Sequence, residues 1–306
     1  MTLSFRPRLD LLDAGEPARI VEDALLVLDR VGVRVEHEEG RDLLLGAGAR
    51  PNGDRLRLAE RIVRPALATC PATVPLYERE GALAFELGGD GVQFDPGSAA
   101  LHLLDPATGV RRPPATADLV ALARLVDALP HYAAQSTAMT PGDVPESIAD
   151  RWRLYVALRH GRKPVVTGTF RADGFAPMRD LLRAARGGAA ALAARPLAIF
   201  DCCPSPPLAW SPLTCDALLA CAREGIPAEL VSMPLAGAAA PVTLRESVVQ
   251  HCAESLSGIV LHQLAGPGAP VIYGGAPAAF DMRHGTAPMG AIETMMIACA
   301  YAQVGR

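Results

Sequence analysis

Aromatic residues are scarce in this 306-residue chain, at 5% of positions. Ala, Leu, Val, Gly and Pro must therefore fill whatever core it builds. No stretch of about 20 apolar residues free of charge occurs, which argues against a membrane-spanning helix. Met1 to Asp10 interleaves Arg with Leu and Phe and lacks the continuous apolar segment of a secretory signal peptide. Positive charge is not in excess: the formal net charge is −4, which gives no reason to expect nucleic acid or an anionic membrane as partner. The seven cysteines have no framework spacing. Cys202 and Cys203 are adjacent, and Cys215, Cys221, Cys252 and Cys299 fall inside apolar helical patterns. Such usage reads as small core residues in a reducing, cytoplasmic setting. Three glycine signatures are also missing: G-x-G-x-x-G, the P-loop and the G-x-S-x-G nucleophile elbow. Nothing therefore supports a nucleotide-binding first turn or a serine hydrolase.

What is present is apolar: half of the residues are hydrophobic, enough for a sizeable core. Residues 1–80 read as helical, with Ile20, Ala24, Leu25, Val27 and Leu28 forming a stripe and Pro51-Asn52-Gly53-Asp54 breaking the pattern. Residues 80–115 change character. Leu83, Phe85 and Leu87 alternate with small or polar residues, and turns follow at Gly88-Gly89-Asp90-Gly91 and Asp105-Pro106-Ala107-Thr108-Gly109. These predict short antiparallel strands. A division follows, into a helical and β-hairpin region over 1–115 and a βα region over 116–306.

From Thr116, a predicted helix N-cap, the rhythm becomes regular. Five strands are expected, at His131–Met139, Pro164–Phe170, Leu197–Cys202, Ala228–Met233 and Pro270–Tyr273, with helical patterns between them. The strands are continuous apolar runs, the mark of a parallel sheet buried on both faces. The units repeat at about 30 to 43 residues, which suggests βα repetition. With no glycine-rich turn for an open nucleotide-binding sheet, and with polar, proline-rich segments after the strands, the fold expected is α/β: a (β/α)8 TIM-type barrel. A full barrel takes about 250 residues. Only five units are visible, so the barrel looks incomplete at its C-terminus. Its unfinished sheet edges would favour a homo-oligomer.

Strand ends are where a barrel keeps its chemistry. The candidates for substrate binding are Thr137, Thr167, Phe200, Asp201, Ser205, Met233 and Tyr273. Asp201 is the sharpest, because a carboxylate ending an apolar strand needs a positive partner. That partner is either a cationic ligand or a nearby Arg or backbone N–H. Phe200, Phe170, Trp210 and Tyr273 are suited to wall a quaternary ammonium by cation–π contact, or simply to pack. Thr137, Thr167 and Thr169 can donate to a substrate carboxylate, although β-propensity explains them equally well. His251 and Glu254 share one side of a long helical pattern. A zinc site there competes with a satisfied core pair. No metal ligand set and no catalytic residue can be assigned.

Several segments resemble the trimethylamine methyltransferase family. They are Leu101 to Pro113, Asp118-Leu119 with Arg124 to Leu129, Pro141-Gly-Asp-Val-Pro145, Lys163-Pro164, Met233 to Thr243, Gly266 to Gly274 and Asp281-Met-Arg283. The likeness runs through nearly the whole chain. It implies a (β/α)8 barrel that moves a methyl group from a methylated amine, trimethylamine or a quaternary amine such as glycine betaine, to the cobalt of a separate corrinoid protein docked over the barrel. It implies no cofactor bound directly, and a pyrrolysine position in some members that lies beyond Arg306. Methyl transfer from an ammonium centre needs orientation and exclusion of water rather than a nucleophilic triad. The competing readings are a non-catalytic amine-binding barrel fragment and a zinc-dependent methyltransferase of the uroporphyrinogen decarboxylase-like kind. His251-Cys252 does not fit the His-x-Cys that the last requires.

Overall fold

A computed structural model describes residues 9–306. The reading of Met1 to Asp10 as no signal peptide falls almost wholly outside the described residues. Ten helices are present among them: α1 (Glu16–Arg30), α2 (Glu38–Gly46), α3 (Glu60–Thr69), α4 (Thr116–Ala128), α5 (Glu146–His160), α6 (Phe175–Arg186), α7 (Ala189–Ala194), α8 (Pro212–Glu224), α9 (Leu244–Ala265) and α10 (Ile292–Gly305). The main sheet has five strands, β1 (Gln135–Ser136), β2 (Val165–Thr167), β3 (Ala198–Cys202), β4 (Ala228–Ser232) and β5 (Val271–Gly275).

All four pairings in this sheet are parallel, and the spatial order follows the chain from β1 to β5. Doubly wound sheets reverse their order at a switch point; this one does not. Each expected strand is present; the first four are shortened, β1 most of all, and the fifth is shifted by one residue at its start and extends to Gly275. Leu129 and Tyr132 give their carbonyls to Lys163 Nζ, and Ala133 N–H donates to Phe94 O. The backbone before Gln135 is therefore engaged outside the ladder.

Local chemistry sets the helix limits. Ser211 caps α8 by accepting from Thr214 N–H at 3.2 Å, Pro212 opens it, and Gly225 ends it in the left-handed region at φ 65°, where glycine escapes the Cβ penalty. Thr116 is the first residue of α4 rather than its cap. The capping role falls to two carboxylates: Asp118 accepts from Ala115 N–H and Asp143 from Thr116 N–H. Two further departures lie in the N-terminal part. Pro51-Asn52-Gly53-Asp54 turns a small hairpin of Arg50–Asn52 with Arg55–Arg57, and Arg34–Val35 pairs in parallel with Ala209–Trp210.

The two faces of the sheet differ. One carries Val165, Thr167, Ala198, Phe200, Cys202, Ala228 and Leu230, all buried, and most of them join the main core beneath the helices. At its centre lies α9, buried along most of its length and packed by α1, α2, α3, α8, α10 and β4. A Cβ on Gly258 of α9 would stand 2.6 Å from Trp210 Cζ2 and 2.9 Å from Leu230 Cδ2, so glycine sets how closely helix and sheet approach. Trp210 Nε1 donates to Ser257 Oγ at 2.9 Å. On the other face Val166, Ile199 and Ile272 form a smaller apolar cluster with Val74, Leu76, Phe85 and Leu87. The last four come from the antiparallel hairpin Val74–Tyr77 with Leu83–Leu87; the second strand is the one expected from the alternation, whereas the first lies in the stretch read as helical, where Val74 and Leu76 alternate toward the sheet.

Candidate active site

Just beyond that apolar cluster, toward the C-terminal ends of the strands, the hairpin-covered face turns acidic. Asp201 of β3 and Glu229 of β4 are register partners, so the two carboxylates rise from adjacent strands about 4.8 Å apart. Their outer neighbours are glycines. A Cβ on Gly168 would touch Asp201 at 3.4 Å, and one on Gly274 would stand 2.4 Å from Glu229 Oε1. The absent side chains make room for the acids themselves: Glu229 occupies the space over Gly274 and Asp201 abuts Gly168, so this acidic hollow, bordered by Val166, Ile199 and Ile272, is filled by the two half-buried carboxylates.

Among the described residues neither carboxylate has a cation to itself. Burial, then the neighbouring charges of Glu229 and Asp95, pushes Asp201 up to about 8, against a weaker pull from Arg153. Burial, with Asp95 behind it, pushes Glu229 up to about 7. Arg153 is committed elsewhere. It pairs with Asp150 at 3.0 Å, donates to Thr137 O at 3.0 Å and Gly168 O at 3.2 Å, and lies under the Phe170 ring, 4.9 Å from its centroid. Asp150 in turn accepts from Thr169 Oγ1 and Phe170 N–H. This buried pair on α5 locks the ends of β1 and β2.

A second buried acid fixes the ends of β3 and β4. Glu254 of α9 accepts from Leu208 N–H at 3.0 Å, Ser232 Oγ at 2.6 Å and Gln250 Nε2 at 2.9 Å. Leu208 sits at φ 53°, a conformation that costs a non-glycine residue about 1 kcal/mol and that this hydrogen bond helps to hold. His251 approaches Tyr273 Oη with Nδ1 at 3.2 Å and Gly274 O with Nε2 at 3.0 Å, and stacks on Tyr301. Burial drives it down to about 4. His251 and Glu254 thus serve separate partner sets, and among the described residues no group of three or more His, Cys, Asp or Glu could hold a metal ion.

The seven residues singled out from sequence do not converge on one point. Asp201 faces the hollow. Thr137 and Thr167 face the helices, and their hydroxyls meet each other at 3.1 Å. Phe200 packs edge-on against Phe175 of α6 at 5.0 Å, and Tyr273 joins the helix-side core through His251. Ser205 and Met233 are exposed on the rim beyond β3 and β4, with Phe170 beyond β2. Glu229 escaped the sequence reading because it sits inside an apolar strand. The available signal was its alternation with Ala228 and Leu230, which makes it the match of Asp201 once the strands are aligned. The seven cysteines are free thiols, four of them buried. Burial raises Cys203 and Cys215 to about 12, so neither is an activated nucleophile.

Comparison with known proteins places this arrangement. Residues 3–306 match the model of the family described as trimethylamine methyltransferase. A trimethylamine methyltransferase from Desulfitobacterium hafniense (strain DSM 10664 / DCB-2) is 30% identical over 92% of this chain and 57% of its own length. A glycine betaine methyltransferase from Desulfitobacterium hafniense (strain Y51) is 27% identical over 98% of this chain and 63% of its own. A trimethylamine methyltransferase from Methanosarcina barkeri is 30% identical over 97% of this chain and 62% of its own. The chain thus spans about three fifths of the length of these relatives, and it belongs to the trimethylamine methyltransferase family.

Proposed function

We propose that this chain is the amine-holding part of a methyltransferase that moves a methyl group from trimethylamine, or a quaternary amine such as glycine betaine, to the cobalt of a partner corrinoid protein. One observation carries the reading: a member of this family sets two half-buried carboxylates in register on adjacent parallel strands, with no counter-ion of their own among the described residues. A methylated ammonium ion carries a positive charge that offsets the cost of two uncompensated buried carboxylates.

The five strands in chain order suit the first five units of a (β/α)8 barrel. The remaining units would lie in the further length that the relatives carry, and the hollow would become part of the barrel lumen. Phe170, Met233 and Ser205 then stand on the rim over which a corrinoid protein docks. When docked, the corrinoid supplies the cobalt nucleophile. The residues of this chain hold the ammonium centre against Asp201 and Glu229, aim one C–N bond at the rim, and keep water from the apolar floor. A quaternary amine leaves as a neutral amine, so no general acid is required. We place the reaction in the cytoplasm on the cysteine usage. Among the described residues no helix is long and apolar enough to cross a membrane.

The test supplies the folded chain with a corrinoid protein in the cobalt(I) state and with trimethylamine or glycine betaine, and follows the absorbance of the corrinoid as methyl–cobalt forms. Transfer supports the reading, and no transfer from any methylated amine overturns it. Calorimetric binding of an amine with no transfer would select amine binding without turnover instead.

A further inference from the structure

We propose that the Asp201–Glu229 pair keeps at least one proton while the hollow is empty near neutral pH and gives it up when a methylated ammonium ion enters, so that amine binding is coupled to proton release. The inference rests on the reading of this hollow as the amine site.

The geometry argues for it. Two half-buried carboxylates in register on adjacent parallel strands, whose backbones run about 4.8 Å apart, repel each other when both are ionised. Three compensations are open to such a pair: hydrogen-bond donors, a cation, or a retained proton. No side chain or backbone N–H among the described residues donates to either carboxylate at hydrogen-bonding distance, whereas Glu254, equally buried, has three donors. The cation nearest in effect, Arg153, spends its guanidinium on Asp150 and on the Thr137 and Gly168 carbonyls.

The other groups facing the pair do not supply positive charge. Asp95, on the segment that runs along the outer edge of β1, adds negative charge to both. Cys202, the last residue of β3, is held as a neutral thiol by its contact with Cys221 and by burial, and Cys203 just after it by burial. Tyr301 of α10 is raised by burial and by the Glu229 charge, and it stays neutral with its hydroxyl donated to Gly275 O at 2.8 Å. A proton is the compensation left to the empty site. The rise in both carboxylates described above agrees with this.

The exchange balances. Near pH 7.5 the empty site holds one neutral carboxyl and one carboxylate, and at lower pH the second carboxyl is neutral too. The occupied site holds two carboxylates and one ammonium ion, and the displaced proton goes to solvent. Gly168 and Gly274 are what make the exchange possible, because a Cβ at Gly274 would press the Glu229 carboxylate out of its place.

The test titrates tetramethylammonium chloride into the full chain by calorimetry, between pH 5.5 and 9, in pairs of buffers of different ionisation enthalpy. Affinity should rise at least tenfold per pH unit between pH 6 and 7.5, with one to two protons released per bound ion, and should level off above pH 8 to 9. Glu229→Gln should keep some binding but lose most of the pH slope. Binding of equal strength across the range with no proton released overturns the inference and leaves the amine site standing. If the ion binds at no pH, the amine-site reading fails, and carboxyl-carbon NMR of the empty protein decides proton retention separately. A carboxyl titrating above pH 6 that drops by a unit or more in Glu229→Gln supports it. Asp201 and Glu229 both titrating below pH 5 overturns it.

Discussion

The chain should lose stability as pH rises from 6.5 to 8.5, a window in which most proteins hold steady. The perturbation is pH alone, and the sign follows from proton counts. Asp201 and Glu229 titrate near 8 and 7 in the folded chain, against about 3.9 and 4.3 when unfolded. Between pH 6.5 and 8.5 the native state therefore binds protons that the unfolded state does not, and stability falls as they leave. At about 1.4 kcal/mol per pH unit per proton, the two losses integrate to about 3 kcal/mol. His251 and His262, both lowered to about 4 by burial, act oppositely: the unfolded state sheds its last histidine protons in this window and the native state has none to lose, which returns somewhat less than 1 kcal/mol. The buried thiols Cys70, Cys203, Cys215 and Cys252, raised to about 11 to 12, add to the loss, because unfolded thiols begin to ionise by pH 8.5 and these do not; at roughly 0.4 kcal/mol each they offset the histidines. The net loss is about 3 kcal/mol. Urea denaturation at pH 6.5, 7.5 and 8.5 should show the midpoint falling by roughly 1 M, taking a slope near 3 kcal/mol per M. The double variant Asp201→Asn with Glu229→Gln, which fixes both groups neutral, should lose most of the fall. A midpoint that stays level or rises in the unsubstituted chain would refute the reasoning.

Three further outcomes are expected. Gly258→Ala ordinarily gains about 1 kcal/mol in a helix, but here the methyl meets Trp210 and Leu230. Overpacking of 1–3 kcal/mol should win, and thermal denaturation should show a lower midpoint. Arg153→Ala strands Asp150 in the interior without its cation and should cost about 3–5 kcal/mol, read as a loss of folded population by circular dichroism in mild urea, whereas an exposed pair such as Arg171–Asp173 should cost under 1 kcal/mol on disruption. The outer edge of β5 has no strand partner among the described residues, so light scattering should report a mass above that of one chain.

Much of the sheet was legible because a strand buried on both faces is a continuous apolar run, and five such runs at even spacing are hard to produce otherwise. The same property hid the site. When both faces are apolar, alternation does not tell which residues look toward the helices. Thr137, Thr167, Phe200 and Tyr273 stand at strand ends as expected, yet face the helix layer, while Asp201 faces the hollow. Glu229 became visible only through its register with Asp201, a relation between segments that no single segment carries. The shortness of β1 had a similar origin: Lys163 Nζ and the Phe94 carbonyl, distant in sequence, take up its neighbouring backbone groups. The α4 cap was misplaced by one residue because Asp118 and Asp143, the latter 27 residues away, do what a threonine hydroxyl usually does.

The burial of α9 has a consequence in time as well as in space. Helices from the N-terminal part, α1, α2 and α3, and elements of the sheet region, α8, α10 and β4, all close upon this one helix. Its amides cannot meet solvent unless several of those covers lift together. Slow hydrogen exchange therefore concentrates in α9, at the free energy of global rather than local opening. The N-terminal helices and the parallel sheet accordingly unfold as one cooperative body, and the hollow with Asp201 and Glu229 persists only as long as that shared helix stays covered.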